Sequence, residues 1–218
     1  MSDRIIIFLL FVTSFLPVFA NSSDSLSTIY NNGSFVTYYQ LKVNASDSIC
    51  KSVANDFEYQ LHSDLETLFG WALKGLNLRN EKNDLMVFYL KSTSYNKSTG
   101  VIRTVGDVIV PKIITFPNII LDSKIVRKNF NNKKSVAYFD LLYSDGFLKK
   151  MYGKLTLTPC KNSGTWFVFE THTKFGWFFN AFITQSRFKK IMEWRLRRFV
   201  YNIKEEAERR EKHNTNLK

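Results

Sequence analysis

The sequence is poor in the residues that build most recognisable catalytic and metal centres. Its 218 residues include 2 cysteines and 3 histidines, and neither type shows the paired spacing of a zinc or thiol–disulfide motif. The serine-hydrolase elbow, the Walker A loop, the dinucleotide-binding glycine motif and the HExxH zinc motif are all absent. The sequence therefore predicts no metal and no cofactor, and it contains no strong sign of catalysis.

Long apolar runs are also missing. After residue 20, nothing approaches the 18 consecutive apolar residues of a membrane-spanning helix. The compact run at residues 5–12 follows Arg4 and precedes small residues up to Ala20, which is typical of a secretory signal peptide. We expect residues 1–20 to be removed by cleavage after Ala20, and the mature protein to be periplasmic or secreted. A retained membrane anchor is the alternative.

The two cysteines, Cys50 and Cys160, are far apart in the sequence. An exported protein meets an oxidising compartment, in which this pair can form a disulfide. Because the closed loop would be long, the chain-entropy model gives a stabilisation of about 4–5 kcal/mol. Two buried free thiols, which behave as small apolar side chains, are the alternative.

Acidic residues are few beside basic ones. The chain has 31 Lys and Arg against 19 Asp and Glu, a formal net charge of +12. Such an excess suits an acidic partner or an anionic membrane surface, or serves only solubility. No nucleic-acid-binding motif accompanies this charge, so we predict no nucleic-acid partner. We also expect the protein to be a monomer.

Hydrophobic periodicity predicts one α+β domain over residues 34–210. A first strand at 34–43 precedes a helical segment that ends near Gly75. The period then changes to two and short turns follow one another, which is typical of an antiparallel meander. The six strands are predicted at residues 84–95, 101–110, 118–130, 135–143, 147–158 and 165–173. Polar composition predicts a disordered leader at 21–33 and a flexible tail at 211–218.

The longest predicted helix covers residues 177–210 and has two contrasting faces. The apolar face contains Phe178, Ala181, Phe188, Met192, Leu196, Phe199, Val200 and Ile203. The opposite face contains Arg187, Lys190, Trp194, Arg197, Arg198 and Tyr201. The apolar face needs a large apolar partner, which the strands provide. The basic face suits either an anionic lipid surface or plain solvent.

This order of elements resembles the START-like helix-grip superfamily of lipid-transfer proteins, polyketide cyclases and the birch-pollen allergen. The resemblance covers residues 35–209 and includes the strand-to-helix junction Val43-Asn44-Ala45-Ser46. It implies a seven-stranded antiparallel curved sheet wrapped on the C-terminal helix, with short helices after the first strand. It also implies a cavity between sheet and helix that holds a lipid or another apolar small molecule. The stretch 92–100 departs from the family, because it is not the expected glycine-rich loop.

Candidate ligand-binding residues lie on the last helix and the last strand. Phe188, Met192 and Phe199 are candidates for an apolar cavity wall, and the aromatic residues between 175 and 182 for its mouth or for the core. Arg195 lies near them in helical angle. A guanidinium there either binds an acidic group of the ligand, or forms an internal ion pair, or reaches water.

The last strand offers a possible proton-transfer pair. Alternation places Trp166, Glu170 and His172 on one face of residues 165–173. If that face lines the cavity, Glu170 and His172 can exchange protons with a ligand; if it faces solvent, they are exterior polar groups.

Three functions follow from these candidates. We favour an exported, non-catalytic binding module. A cyclase- or hydratase-like enzyme that uses Glu170, His172 or Arg195 is one alternative, and an envelope-associated structural protein with a filled core is another.

Overall fold

The computed structural model describes residues 24–76, 87–110, 112–130, 134–160 and 163–216. The predicted signal peptide with its cleavage site, residues 77–83 of the predicted connector, and residues 217–218 of the tail lie outside the described residues. The described elements, in chain order, are β1 (Asp24–Asn31), β2 (Ser34–Val43), α1 (Asp47–Ser63), α2 (Leu65–Gly70), β3 (Val87–Asn96), β4 (Val101–Val110), β5 (Ile114–Phe130), β6 (Lys134–Ser144), β7 (Leu148–Pro159), β8 (Thr165–Phe175), α3 (Trp177–Asn180) and α4 (Gln185–Asn216).

The strands form one antiparallel sheet in the order β1-β2-β8-β7-β6-β5-β4-β3. The meander β3–β8 is extended by β2, which pairs with β8, and α1 and α4 pack on one face, called the inner face. The pairing shifts at Gly106/Val108 and at Asp122/Ser123, and bulges of this kind bend and twist a sheet. The result is the helix-grip arrangement that the element order predicts: a curved antiparallel sheet around a long C-terminal helix.

The sheet has eight strands rather than seven, because residues Asp24–Asn31 form β1. The prediction of a disordered leader at 21–33 is wrong over this stretch. Asn32 and Gly33 take left-handed conformations (φ 49° and 76°) in the tight turn to β2, a geometry that an Asn-Gly pair adopts readily. The buried hydroxyls of Thr28 and Thr37 then form a 3.0 Å hydrogen bond across the two strands. Polar residues therefore build this strand, which explains why hydrophobic periodicity does not reveal it.

The predicted helix at 177–210 is two helices with different bounds. The four residues of α3 form a separate short helix, in which Phe179 packs edge-on against Phe147 with ring centroids 5.1 Å apart. At the other end α4 continues to Asn216, so the prediction of a flexible tail is wrong for residues 211–216. Glu211 accepts hydrogen bonds from the amide and hydroxyl of Ser46 at 2.9 and 2.6 Å, which holds this end of the helix against the start of α1.

Aromatic side chains fill much of the space between β2, β8 and α4. Phe188 of α4 stacks on Phe35 at a centroid distance of 3.8 Å and meets Phe175 edge-on at 5.6 Å. Met192 and Leu196 are buried further along the same face of the helix. Complete burial of one such side chain contributes about 1.5–3 kcal/mol. This end of the predicted cavity is therefore packed core.

Cys50 and Cys160 are free thiols, so of the two interpretations left open by the sequence, the disulfide is not formed. Cys50 is buried in α1, and its Sγ lies 3.8 Å from the carbonyl oxygen of Ala45. Burial raises the pKa of the Cys50 thiol to about 12, which keeps it protonated and unreactive at neutral pH. The alternative interpretation, a buried thiol acting as a small apolar side chain, is correct for Cys50; Cys160 is partly exposed.

Candidate functional site

The last strand turns its predicted polar pair away from the helices. Phe167, Phe169 and Phe175 of β8 are buried in the core, and Phe169 meets Phe199 of α4 edge-on at 6.1 Å. Because side chains alternate along a strand, Trp166, Glu170 and His172 lie on the outer face of the sheet. The condition for a proton-transfer pair inside the cavity is therefore not met, and these three residues do not line the inner face.

On the outer face, Glu170 and His172 have separate partners. Glu170 is buried and forms a 2.7 Å ion pair with Lys154, its cross-strand neighbour on β7. On its other side is Tyr38, whose pKa is raised by burial and by the nearby Glu170 charge. The His172 ring stacks on Tyr152 at a centroid distance of 4.5 Å. These contacts describe an ordered polar surface.

The candidate ligand-binding residues of α4 do lie on the inner side of the sheet. Phe188 and Met192 are buried, and Phe199 packs between α1 and β8, with its ring 5.4 Å from that of Phe57. Arg195 is only 6% exposed, which argues against a side chain that extends into water. An internal ion pair and an acidic group of a ligand remain the two interpretations for this buried guanidinium, and both require a negative charge close to it.

The predicted basic face of α4 is solvent-exposed. Arg187, Lys190, Arg197 and Arg198 are exposed, and Trp194 is 50% exposed. Two of these residues make intramolecular contacts, since Arg197 lies 3.5 Å from the Asp24 carboxylate and Arg198 donates to the Lys74 carbonyl at 3.3 Å. Attachment of the helix to its neighbours therefore accounts for part of this face without any membrane.

A cleft opens on the inner side of the sheet between α1 and strands β5, β6 and β7; we call it the α1 cleft. Its volume is about 140 Å³. Its floor is apolar and includes Ala137, Leu155 and Leu157, and its rim includes Lys51, Ala54 and Arg127. Periodicity alone did not predict this site, because it depends on the register that brings β5, β6 and β7 beneath α1. The alternation of Leu155 and Leu157 was the one available signal.

Carboxylates outside the α1 cleft hold its two cations in position. Arg127 donates to the carbonyl oxygen of Ala54 at 2.7 Å and pairs with Glu58 at 2.5 Å. Lys51 pairs with Asp47 one helical turn earlier, also at 2.5 Å. Neither Asp47 nor Glu58 lines the cleft. The arrangement places two cationic side chains, each paired with a carboxylate, at the rim of an apolar floor; the acidic head group of an apolar molecule would share these cations with Asp47 and Glu58.

The residues that the structure describes contain no group of three or more His, Cys, Asp or Glu side chains placed to hold a metal ion. Among the helices that the structure describes, none is long and apolar enough to cross a membrane.

Comparison with known proteins yields structural likenesses only. No protein-family model matches the chain, and no curated protein matches it. A START superfamily protein from Mycobacterium smegmatis is 12% identical, with 80% of this chain and 97% of that chain covered and a TM-score of 0.48. Zhui aromatase/cyclase from Streptomyces sp. R1128 is 12% identical, with 81% and 95% covered and a TM-score of 0.47. Truncated norcoclaurine synthase from Thalictrum flavum is 14% identical, with 85% and 96% covered and a TM-score of 0.42. Likenesses this distant assign neither a ligand nor a reaction to this chain.

Proposed function

We propose that this protein is a binding module for an apolar small molecule with an acidic head group, held between the inner face of the sheet and helices α1 and α4. The observation that carries the proposal is the α1 cleft, in which Leu155 and Leu157 form an apolar floor beneath Lys51 and Arg127. Apolar area removed from water supplies affinity at about 25 cal/mol per Å². The two cations orient the head group by charge-assisted hydrogen bonds.

The α1 cleft accepts only part of such a ligand, since its 140 Å³ is below the roughly 300–1,000 Å³ of ordinary ligand pockets. Deeper entry requires α1 to move away from the sheet. Arg210 of α4 resists that movement, because it pairs with Asp56 of α1 and with Glu206 on its own helix. We infer that uptake involves a displacement of α1, with Arg127 and Lys51 holding the head group at the surface. Arg195 is a candidate for a second polar contact deeper in the fold.

We also propose that the protein acts after export. Arg4, the apolar run at residues 5–12 and the small residues before Ala20 support this proposal. Cleavage after Ala20 would leave β1, which begins at Asp24, intact. The test is the mass of the protein isolated from its own host: loss of the first 20 residues is the expected result, and a full-length chain in the soluble fraction contradicts it.

Native mass spectrometry followed by organic extraction tests the binding proposal. We expect the protein isolated from its host to carry an extractable apolar molecule, and the stripped protein to take up a long-chain fatty acid. Ala137→Phe fills the floor of the α1 cleft and should reduce uptake about tenfold or more. Ala181→Phe is the matched control, because Ala181 is exposed between α3 and α4. No uptake by the natural chain, or equal loss in both variants, contradicts the proposal.

A further inference from the structure

The outer face of the sheet carries a second cleft, remote from the α1 cleft and on the opposite side of β7 and β8. It has a volume of about 180 Å³ and lies where the β1–β2 turn approaches the outward side chains of β7 and β8. Lys150, Tyr152, His172 and Lys174 line one side of it, and Asn31 and Ser34 line the other. We call it the lysine cleft.

Its two lysines are direct cross-strand neighbours, since Lys150 of β7 pairs in register with Lys174 of β8. Like charges placed opposite one another in an antiparallel pair destabilise the sheet. Within the described part of the chain, neither ammonium lies within 4 Å of a carboxylate, and none of the cleft's lining residues is acidic. The next outward residue of β8 towards its start, Glu170, is held by Lys154 and does not line the cleft. The positive charge of the pair is thus not compensated locally.

The surroundings of the pair are ordered and suited to hydrogen bonding. Lys150 lies over the ring of Tyr152 at 4.6 Å, and that ring stacks on His172, so the pair stands beside a fixed aromatic wall. The β1–β2 turn supplies the side-chain amide of Asn31 and the hydroxyl of Ser34 as further donors. Lys174 extends over this turn, where a Cβ added to Gly33 would lie 3.2 Å from its Nζ.

We propose that the lysine cleft binds a phosphate group, either of a soluble phosphorylated molecule or of a lipid head group. Lysine recognises phosphate as a point charge, and two ammonium groups with neutral donors around them match its several acceptor oxygens. This site is independent of the proposed apolar ligand, because it lies on the other face of the sheet.

Isothermal titration of the purified protein with inorganic phosphate at low salt tests the proposal. We expect saturable binding that weakens as salt is added. Lys150→Ala and Lys174→Ala should each weaken it about tenfold or more, and Lys174→Arg should largely retain it. Lys149→Ala is the matched control, because it removes the same charge from a neighbouring exposed lysine that does not line the cleft. Absence of phosphate binding, or an equal loss in Lys149→Ala, would overturn the proposal.

Two more measurements distinguish a lipid head group from a soluble phosphorylated molecule, and test whether Lys174 has a purely structural role. Binding to phosphatidylcholine vesicles that contain phosphatidic acid, with the same dependence on Lys150 and Lys174, would assign the site to a lipid head group. Binding of free phosphate alone would assign it to a soluble molecule. Without phosphate, Lys174→Ala should melt at the same temperature as the natural chain or higher, since it relieves the repulsion. A lower melting temperature would show that Lys174 has a stabilising internal partner, and would overturn the argument.

Discussion

Asp24 connects the first strand to the last helix, and its replacement by alanine should measurably destabilise the protein. Its Oδ2 accepts hydrogen bonds from Tyr201 at 3.1 Å and from Tyr39 at 3.4 Å, and lies 3.5 Å from Arg197. Tyr39 is completely buried, so removal of the carboxylate leaves its hydroxyl without this acceptor. The Asp24 side chain is 25% exposed, which makes the site partly desolvated.

The magnitude follows from these distances. Hydrogen bonds to a charged group contribute about 1.5–3 kcal/mol each, and the two tyrosine bonds are long, so we take the lower end of that range. The half-exposed Arg197 pair adds about 0–1 kcal/mol. We therefore expect Asp24→Ala to lower the free energy of unfolding by about 3–4 kcal/mol. In a domain of this size each kcal/mol lowers the melting temperature by about 2–4 °C.

Urea denaturation followed by far-UV circular dichroism measures the loss, and hydrogen exchange locates it. Asp24→Asn keeps a hydrogen-bond acceptor and should lower the free energy of unfolding by less than Asp24→Ala does. The control Asp140→Ala removes an exposed carboxylate from β6 and should change the free energy of unfolding by no more than about 0.5 kcal/mol. Faster exchange of the β1 amides should accompany the loss in Asp24→Ala. A cost under about 0.5 kcal/mol, or unchanged protection of β1, would refute the idea that this carboxylate fastens the strand to α4.

Two further predictions concern the same side of the molecule. Burial, followed by the charge of Asp24, raises the pKa of Tyr39 well above its usual value of about 10. Because the folded protein holds the phenolic proton more tightly than the unfolded chain does, Tyr39 contributes its full stabilisation below about pH 10. The free energy of unfolding then falls as the pH rises further. Tyr39→Phe should therefore flatten the loss of stability between about pH 10 and 11 in urea titrations, and an unchanged slope would show that Tyr39 is not responsible. Phe188→Ala should cost about 3–5 kcal/mol, because it removes a buried ring that stacks on Phe35. The control Phe182→Ala, in a partly exposed position, should lower the free energy of unfolding clearly less. Equal losses in the two variants would mean that Phe188 borders a void and not packed core.

The meander and the closing helix could be predicted from sequence because their signals are local. Strands β3–β8 alternate with period two and are separated by turn residues, and α4 repeats its apolar face every three or four residues. β1 escaped prediction because its Ser- and Thr-rich stretch lacks apolar alternation, and because Asp24 at its start is bonded to Tyr201 of α4, a contact that no local window contains. The end of α4 escaped for the same reason, since Glu211 is held by Ser46.

The faces of β8 show where periodicity stops being informative. Alternation correctly grouped Trp166, Glu170 and His172, but both faces of this strand carry aromatic residues, so the pattern did not say which face meets the helices. The lysine cleft and the α1 cleft have a similar origin. The lysine cleft depends on the pairing of β2 with β8, which are distant in sequence, and the α1 cleft depends on the packing of α1 over β5, β6 and β7.

The contacts that join the two ends of the chain also determine when the domain can finish folding. Tyr201 bonds to Asp24 across 177 residues, and Ser46 bonds to Glu211 across 165. Contacts of such long sequence separation form late, and a ribosome must release almost the whole chain before they exist. Until then β1 and α1 have no α4 to pack against. The nascent chain should therefore stay open through most of its synthesis, in a form that a translocation channel requiring unfolded polypeptide can accept.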